Sequence, residues 1–244
     1  MILYPLIKKW IKQDIISLWF FVRYRDPDYH IRLRFYLNDT INFKNCVSEI
    51  VHNSKNFTYS NIISTISIDT YIRELERYGT NNIVLCEQLF SHDSTTICEN
   101  LSNTSSFCDV FIYTVNQCAS KLENWIPNLD ECIRIINSQY EALNKTLKLN
   151  NKDLNKLYAK YRNALTIDAK QNLFLYKKGI KPTEDISYPP DIIPSLIHMY
   201  INKIFVENHR LYETEIYYFL KRLIEMKKFL LTKQETNYEK ENQT

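Results

Sequence analysis

Glycine is nearly absent. The chain of 244 residues holds two, Gly79 and Gly179. A dinucleotide-binding turn and a phosphate loop both need clustered glycines, so both are excluded. The six cysteines, Cys46, Cys86, Cys98, Cys108, Cys118 and Cys132, include no Cys-x-x-Cys pair. No cysteine–histidine group has the spacing of a zinc site. No metal or nucleotide cofactor is therefore expected. A long hydrophobic run is missing too: Lys8, Lys9, Lys12 and Asp14 interrupt the apolar N-terminal stretch, which cannot span a membrane. With no signal peptide, the cysteines are expected to be reduced, buried thiols of a cytoplasmic protein. Charge of one sign is not in excess either. A net charge of +3 is too small to argue for direct nucleic-acid binding. Repeats and linkers are also lacking, so residues 1–231 are read as a single domain. The polar residues 232–244 are expected to form a disordered tail.

What is present is concentrated between Trp19 and Phe35: Trp-Phe-Phe-Val-Arg-Tyr-Arg-Asp-Pro-Asp-Tyr-His-Ile-Arg-Leu-Arg-Phe. The first run is aromatic and β-branched, and His30 to Leu37 alternates strictly, so two strands are expected. Asp26-Pro27-Asp28 between them is turn chemistry. A loop of Asp26 to Tyr29 would pair Arg25 with His30, Arg23 with Arg32, and Phe21 with Arg34. Arg23, Arg25, His30, Arg32 and Arg34 would then share one face. Phe20, Val22, Tyr24, Ile31, Leu33 and Phe35 would form the core face. A slip of one residue would scramble that pairing but keep Arg32 and Arg34 together. Most charged strand faces are simply solvated. Four arginines within a dozen residues repel one another, however, unless something negative sits among them. An anion site is the sharper expectation, and arginine's fork suits planar carboxylates.

The rest of the chain reads mainly as helix. Leu3 to Lys12 is amphipathic, with Pro5 tolerated in a first turn. Asp39 to about Asn53 carries a stripe of Ile41, Val47, Ile50 and Val51. Asn61 to Ile72 is rich in Ile, Thr and Ser and is expected to be a strand running towards Gly79. Arg73 and Arg77 are expected as neighbours, on a strand face or one helical turn apart. Residues 81–103 are read as two helices broken at Ser91-His92-Asp93-Ser94. Helices are also expected over Phe107–Lys121, Asp130–Leu147, Asp153 to about Leu165, and His209–Leu231. Residues 179–194 hold Pro182, Pro189, Pro190 and Pro194 and suggest a lid or site loop. A helix should open after it, carrying His198. The fold expected is α+β: a mainly antiparallel sheet of the hairpin and the 61–75 strand, with packed helices and a helical second half.

The hairpin resembles the signature of the glutamate-elimination domain of class I lanthipeptide dehydratases, a family that includes stand-alone thiopeptide-type bacteriocin biosynthesis proteins. Three further stretches resemble family blocks in the same order. "TYIRELERYG" resembles Tyr-x-x-Glu-x-x-Arg-Tyr-Gly. "EQLFSHDS", Glu87 to Ser94, resembles Glu-x-x-Phe-x-x-Asp-Ser. "SLIHMYINKIF", Ser195 to Phe205, resembles Ser-Leu-x-His-Met. The chain departs from the family pattern in three ways. The family's strand before the first helix has no counterpart. Asn202-Lys203 stands where Asn-Arg is common, and Gly79-Thr80 stands where Gly-Gly is common.

The resemblance implies a lyase acting on a ribosomal precursor peptide whose Ser or Thr hydroxyl has been glutamylated. It removes the α-proton and expels glutamate to leave dehydroalanine or dehydrobutyrine. Carried over, Arg32, Arg34, Arg73 and His198 would be catalytic; from their own expected placement, Arg23, Arg25, His30 and Arg77 would bind substrate. A separate glutamylating dehydratase would be a partner. The chemistry asks for such a set: arginines for departing carboxylates, and a neutral histidine as base. His198 is expected to be neutral at a helix start, with His209 as the competing histidine. Two alternatives accompany this reading. One is the pyridine-forming cycloaddition of thiopeptide biosynthesis. The other is a non-catalytic scaffold that binds the peptide.

Overall fold

The computed structural model describes residues 2–101, 106–172 and 188–241. The chain falls into two compact units, 1–104 and 105–244.

The first unit is built around a hairpin. Helix α1, Tyr4–Lys12, has its proline in the first turn and buries Tyr4, Leu6, Ile7 and Trp10. Strands β1, Ile16–Tyr24, and β2, His30–Leu37, pair antiparallel. Trp19, Phe20, Phe21 and Val22 are all buried, so β1 is covered on both faces. Trp19 packs on Tyr4 at 5.8 Å on one side, and Phe20 on Phe90 at 5.6 Å on the other. Burying side chains of this size contributes roughly 1.5–3 kcal/mol each. A short 3-10 turn, Thr40–Asn42, is capped by the Asp39 carboxylate and leads into α2, Phe43–Tyr59.

The register differs by one residue from the sequence expectation. Tyr24 faces His30, Val22 faces Arg32 and Phe20 faces Arg34, while Arg23 faces Ile31. Arg25 falls in the turn. Arg32, Arg34 and His30 keep one face, and Arg23 moves to the other. The observed register avoids arginine directly opposite arginine and gives Arg32 the ring of Tyr24 instead.

The expected strand over 61–72 is not one: the sheet has two strands, and this segment runs irregularly to the short helix α3, Leu75–Tyr78. Ile62, Ile66, Ile68 and Ile72 are exposed, so no buried face organises it. The stripe on α2 is likewise not a core face: that helix buries Cys46 and Ser54, and Ile41 and Val51 are exposed. The expected break at Ser91–Ser94 is also absent, because α4 is continuous over Ile83–Asn100. Its serines are used elsewhere. Ser91 and Ser94 accept the backbone N–H groups of Trp19 and Phe21 at 3.4 and 3.2 Å. Helix α4 thereby covers the edge of β1.

The second unit is helical among its described residues: α5 Phe107–Trp125, α6 Leu129–Leu147, α7 Asn151–Asn172, α8 Ile193–Ile204 and α9 His209–Glu241. Asn128 caps α6 by accepting from the Glu131 N–H. Helix α9 packs against the other four, with Phe219 buried between Phe111 and Tyr158. It continues through Thr232, where the sequence suggested a polar tail. Of the proline-marked loop, Pro182 lies outside the described residues, and Pro194 sits in the first turn of α8. The whole is α+β with a helical second half. No described helix is long and apolar enough to cross a membrane.

Candidate functional site

Alternation along β2 puts Arg32 and Arg34 on one face, and aromatic rings hold both. The Arg32 guanidinium lies 4.0 Å from the centroid of the Tyr24 ring, which stacks on His30. Arg32 Nε–H donates to His30 Nε2 at 3.1 Å. His30 Nδ1 lies 2.8 Å from the Asp28 carbonyl, which can only accept. Both contacts are satisfied by the neutral tautomer with its proton on Nδ1. His30 therefore positions Arg32. Two residues on, the Arg34 guanidinium lies 4.9 Å from the Tyr71 ring centroid. Its buried Nε–H has no hydrogen-bond acceptor among the described residues. Neither Arg32 nor Arg34 has a carboxylate partner among those residues.

Tyr71 connects this face to a buried carboxylate. Glu87, on α4, is 4% exposed. Its two oxygens accept from Arg73 Nε and Nη2 at 2.9 and 2.8 Å. Burial first, then the Glu87 carboxylate to which its hydroxyl is bonded, raises the Tyr71 phenol well above its ordinary range. Tyr71 is thus a neutral donor. One glutamate holds the tyrosine platform under Arg34 and neutralises Arg73.

Arg77 pairs with Glu74 at 3.1 Å on the surface of α3. Arg73 and Arg77 therefore serve different carboxylates. In the Tyr-x-x-Glu-x-x-Arg-Tyr-Gly block the arginine position falls on Arg77, and Arg73 stands at a variable one. Arg23 lies on the opposite sheet face, bonded to the Tyr29 hydroxyl. Arg25 is exposed in the turn.

In the second unit His198 is the sixth residue of α8, beyond the reach of the helix-end dipole invoked for it. Its environment is instead a carboxylate: Nδ1 lies 3.0 Å from Glu213 Oε2. A carboxylate accepts, so Nδ1 carries the proton, and in the neutral ring Nε2 would hold the lone pair. Glu213 is 3% exposed, and Arg210 Nη1 bonds the same oxygen at 3.2 Å. His209 stands edge-on to His198 with ring centroids 6.3 Å apart. Cys86 and Cys132 are poor nucleophiles, since burial raises each thiol to about 11. No group able to hold a metal ion occurs among the described residues.

Sequence reading missed Glu87, Tyr71 and Glu213 as site residues. The first two lie inside quoted blocks. The pairing of Glu213 with His198 depends on the packing of α8 on α9, which spacing alone does not reveal.

The first unit thus presents a hairpin face with two ring-held arginines, and the second unit holds a histidine bonded to a buried glutamate. The chain belongs to the family described as Lantibiotic biosynthesis dehydratase C-term, which it matches over residues 1–224. It is 31% identical over 230 residues to nisin biosynthesis protein NisB of Lactococcus lactis subsp. lactis, covering 86% of this chain and 22% of that protein. It is 37% identical over 79 residues to subtilin biosynthesis protein SpaB of Bacillus subtilis, covering 32% of this chain and 8% of that protein. The fold is similar to the tRNA dependent lantibiotic dehydratase MibB from Microbispora sp. 107891, with a TM-score of 0.53 and 16% identity. That match covers 90% of this chain and 26% of the other. The chain thus spans about a quarter of the length of these larger proteins.

Proposed function

We propose that this chain is a lyase that eliminates glutamate from glutamylated Ser or Thr side chains of a ribosomal precursor peptide. A base removes the α-proton, the Cα–H electron pair forms the Cα=Cβ bond, and the Cβ–O bond breaks. The glutamyl group leaves as a carboxylate. Arg32 and Arg34 bind that group and stabilise the charge that develops on it. His30, Tyr24 and Tyr71 hold the two guanidinium groups, and Glu87 holds Tyr71. His198, oriented by Glu213, is the base. The reaction needs no metal or nucleotide, and the glutamyl ester comes from a separate glutamylating dehydratase.

The observation that carries this reading is the pair of arginines on one sheet face, held by rings and left without a carboxylate among the described residues. The buried, unbonded Nε–H of Arg34 adds to it, since such a donor costs about 1–3 kcal/mol unless a ligand bonds it. Arg73, in contrast, is already satisfied by Glu87.

The test is elimination from a glutamylated peptide followed by mass spectrometry. Arg32→Ala or Arg34→Ala should leave the protein folded while glutamyl adducts accumulate. Loss of one charged donor is worth ~3 kcal/mol of transition-state stabilisation, or about a hundredfold in rate. Full dehydration by the double variant would overturn the assignment.

A further inference from the structure

The two edges of the hairpin sheet are treated differently. On β1, the N–H groups of Trp19 and Phe21 point away from β2 and are taken by Ser91 and Ser94. Their cross-strand partners are Phe35 and Leu33. Residues opposite each other in an antiparallel ladder both point their backbone groups inward or both outward. Leu33 and Phe35, with Ile31 opposite Arg23, therefore direct N–H and C=O away from β1. Strand β2 has one neighbour in the sheet. Among the described residues, nothing bonds the outward backbone groups of Ile31, Leu33 and Phe35. The strand is also reachable: Ile31 is 43% and Tyr36 61% exposed.

An open edge accepts any extended chain unless charge selects among them. Here the selection is set by Arg32 and Arg34, which alternate with the outward-pointing residues. A strand added to β2 would place every second side chain on the arginine face, with Cβ atoms about 4.5–5.5 Å from those of its neighbours. Anionic groups at alternate positions are what this edge fits.

We propose that the open edge of β2 takes the precursor peptide as a third strand, with the acylated Ser or Thr directed onto the face of Arg32 and Arg34. This rests on the elimination reading above. Backbone bonds to Ile31, Leu33 and Phe35 supply sequence-independent grip. The arginines supply preference for the acylated residue. A modified residue two positions along can then be presented by a shift of one strand repeat.

The experiment uses the full chain and a glutamylated peptide carrying a single backbone N-methyl group, moved one residue at a time. Binding is read by anisotropy and elimination by single-turnover mass spectrometry. Sensitivity should alternate with period two around the modified residue, each sensitive position raising Kd about tenfold. Antiparallel docking makes the two flanking residues sensitive, and parallel docking makes the modified residue itself sensitive. As a second arm, Leu33→Pro removes one outward N–H that β1 does not use, and should raise KM with little change in kcat. Equal sensitivity at every position, or none, overturns the docking. So does a dimer that Leu33→Pro dissolves, which would give the edge to a second copy. If the unmethylated peptide is bound but never converted, the elimination reading fails rather than the docking.

Discussion

Glu213 sets what His198 can do. The carboxylate accepts the Nδ1–H hydrogen bond, which in the neutral ring leaves Nε2 as the acceptor; in the proposed elimination it would stabilise the imidazolium formed when that nitrogen removes a proton. Its own partner, Arg210, is largely exposed, so Glu213→Gln should fold normally. The amide oxygen can still accept from Nδ1, but the charge is gone. We expect Glu213→Gln to slow elimination about ten- to a hundredfold with peptide affinity unchanged. His198→Ala should cost more, about a hundredfold or beyond. His209→Ala, whose ring stands edge-on to that of His198, should stay within about threefold. Single-turnover rates with separately measured Kd check this, and an inactive His209→Ala with active His198→Ala would reverse the assignment. Arginines, by contrast, sort by their partners. Arg73 and Arg77 are satisfied by Glu87 and Glu74, and among the described residues Arg32 and Arg34 are held by rings and an imidazole.

Helix α4 depends on polar residues that normally end helices. Ser94, fully buried, accepts from Phe21 N–H and donates to the Phe90 carbonyl at 2.7 Å. Ser94→Ala leaves that strand N–H buried without a partner, which should cost about 1–3 kcal/mol. Ser91→Ala, with its longer 3.4 Å contact, should cost less. Urea unfolding of both variants measures the difference, and a neutral Ser94→Ala would show that the edge of β1 is not closed by this helix. The same residues show how much the sequence could reveal. Ser91 to Ser94 look like a cap because local pattern cannot show that a strand edge lies alongside. Hairpin strands, the shared face of Arg32 and Arg34, and the helices of the second half were legible from periodicity. The register was not, since both registers bury an aromatic face and only the ring of Tyr24 decides for Arg32. The Ile-rich 61–72 segment has strand composition without a partner strand, and composition cannot supply one.

Stability of the whole molecule should carry the mark of Glu215 on α9. Desolvation raises this half-buried carboxyl to about 7. A folded-state value above the unfolded one means that the native state holds the proton more tightly. The associated stability is fully present below about 4.5 and is lost as pH rises through 7. Glu49 acts in the opposite sense. Its bond to Lys9, then that to Trp10, lowers it, so its contribution is present above the ordinary carboxylate range and is lost on acidification. Glu215→Gln mimics the protonated form at every pH. It should therefore leave stability near pH 4 unchanged and raise it at pH 8, by on the order of 1 kcal/mol once solvent screening of the exposed half is allowed for. Urea unfolding at the two pH values measures both effects. A gain of equal size at pH 4 and pH 8 would mean that packing of the amide, and not the charge of Glu215, is responsible.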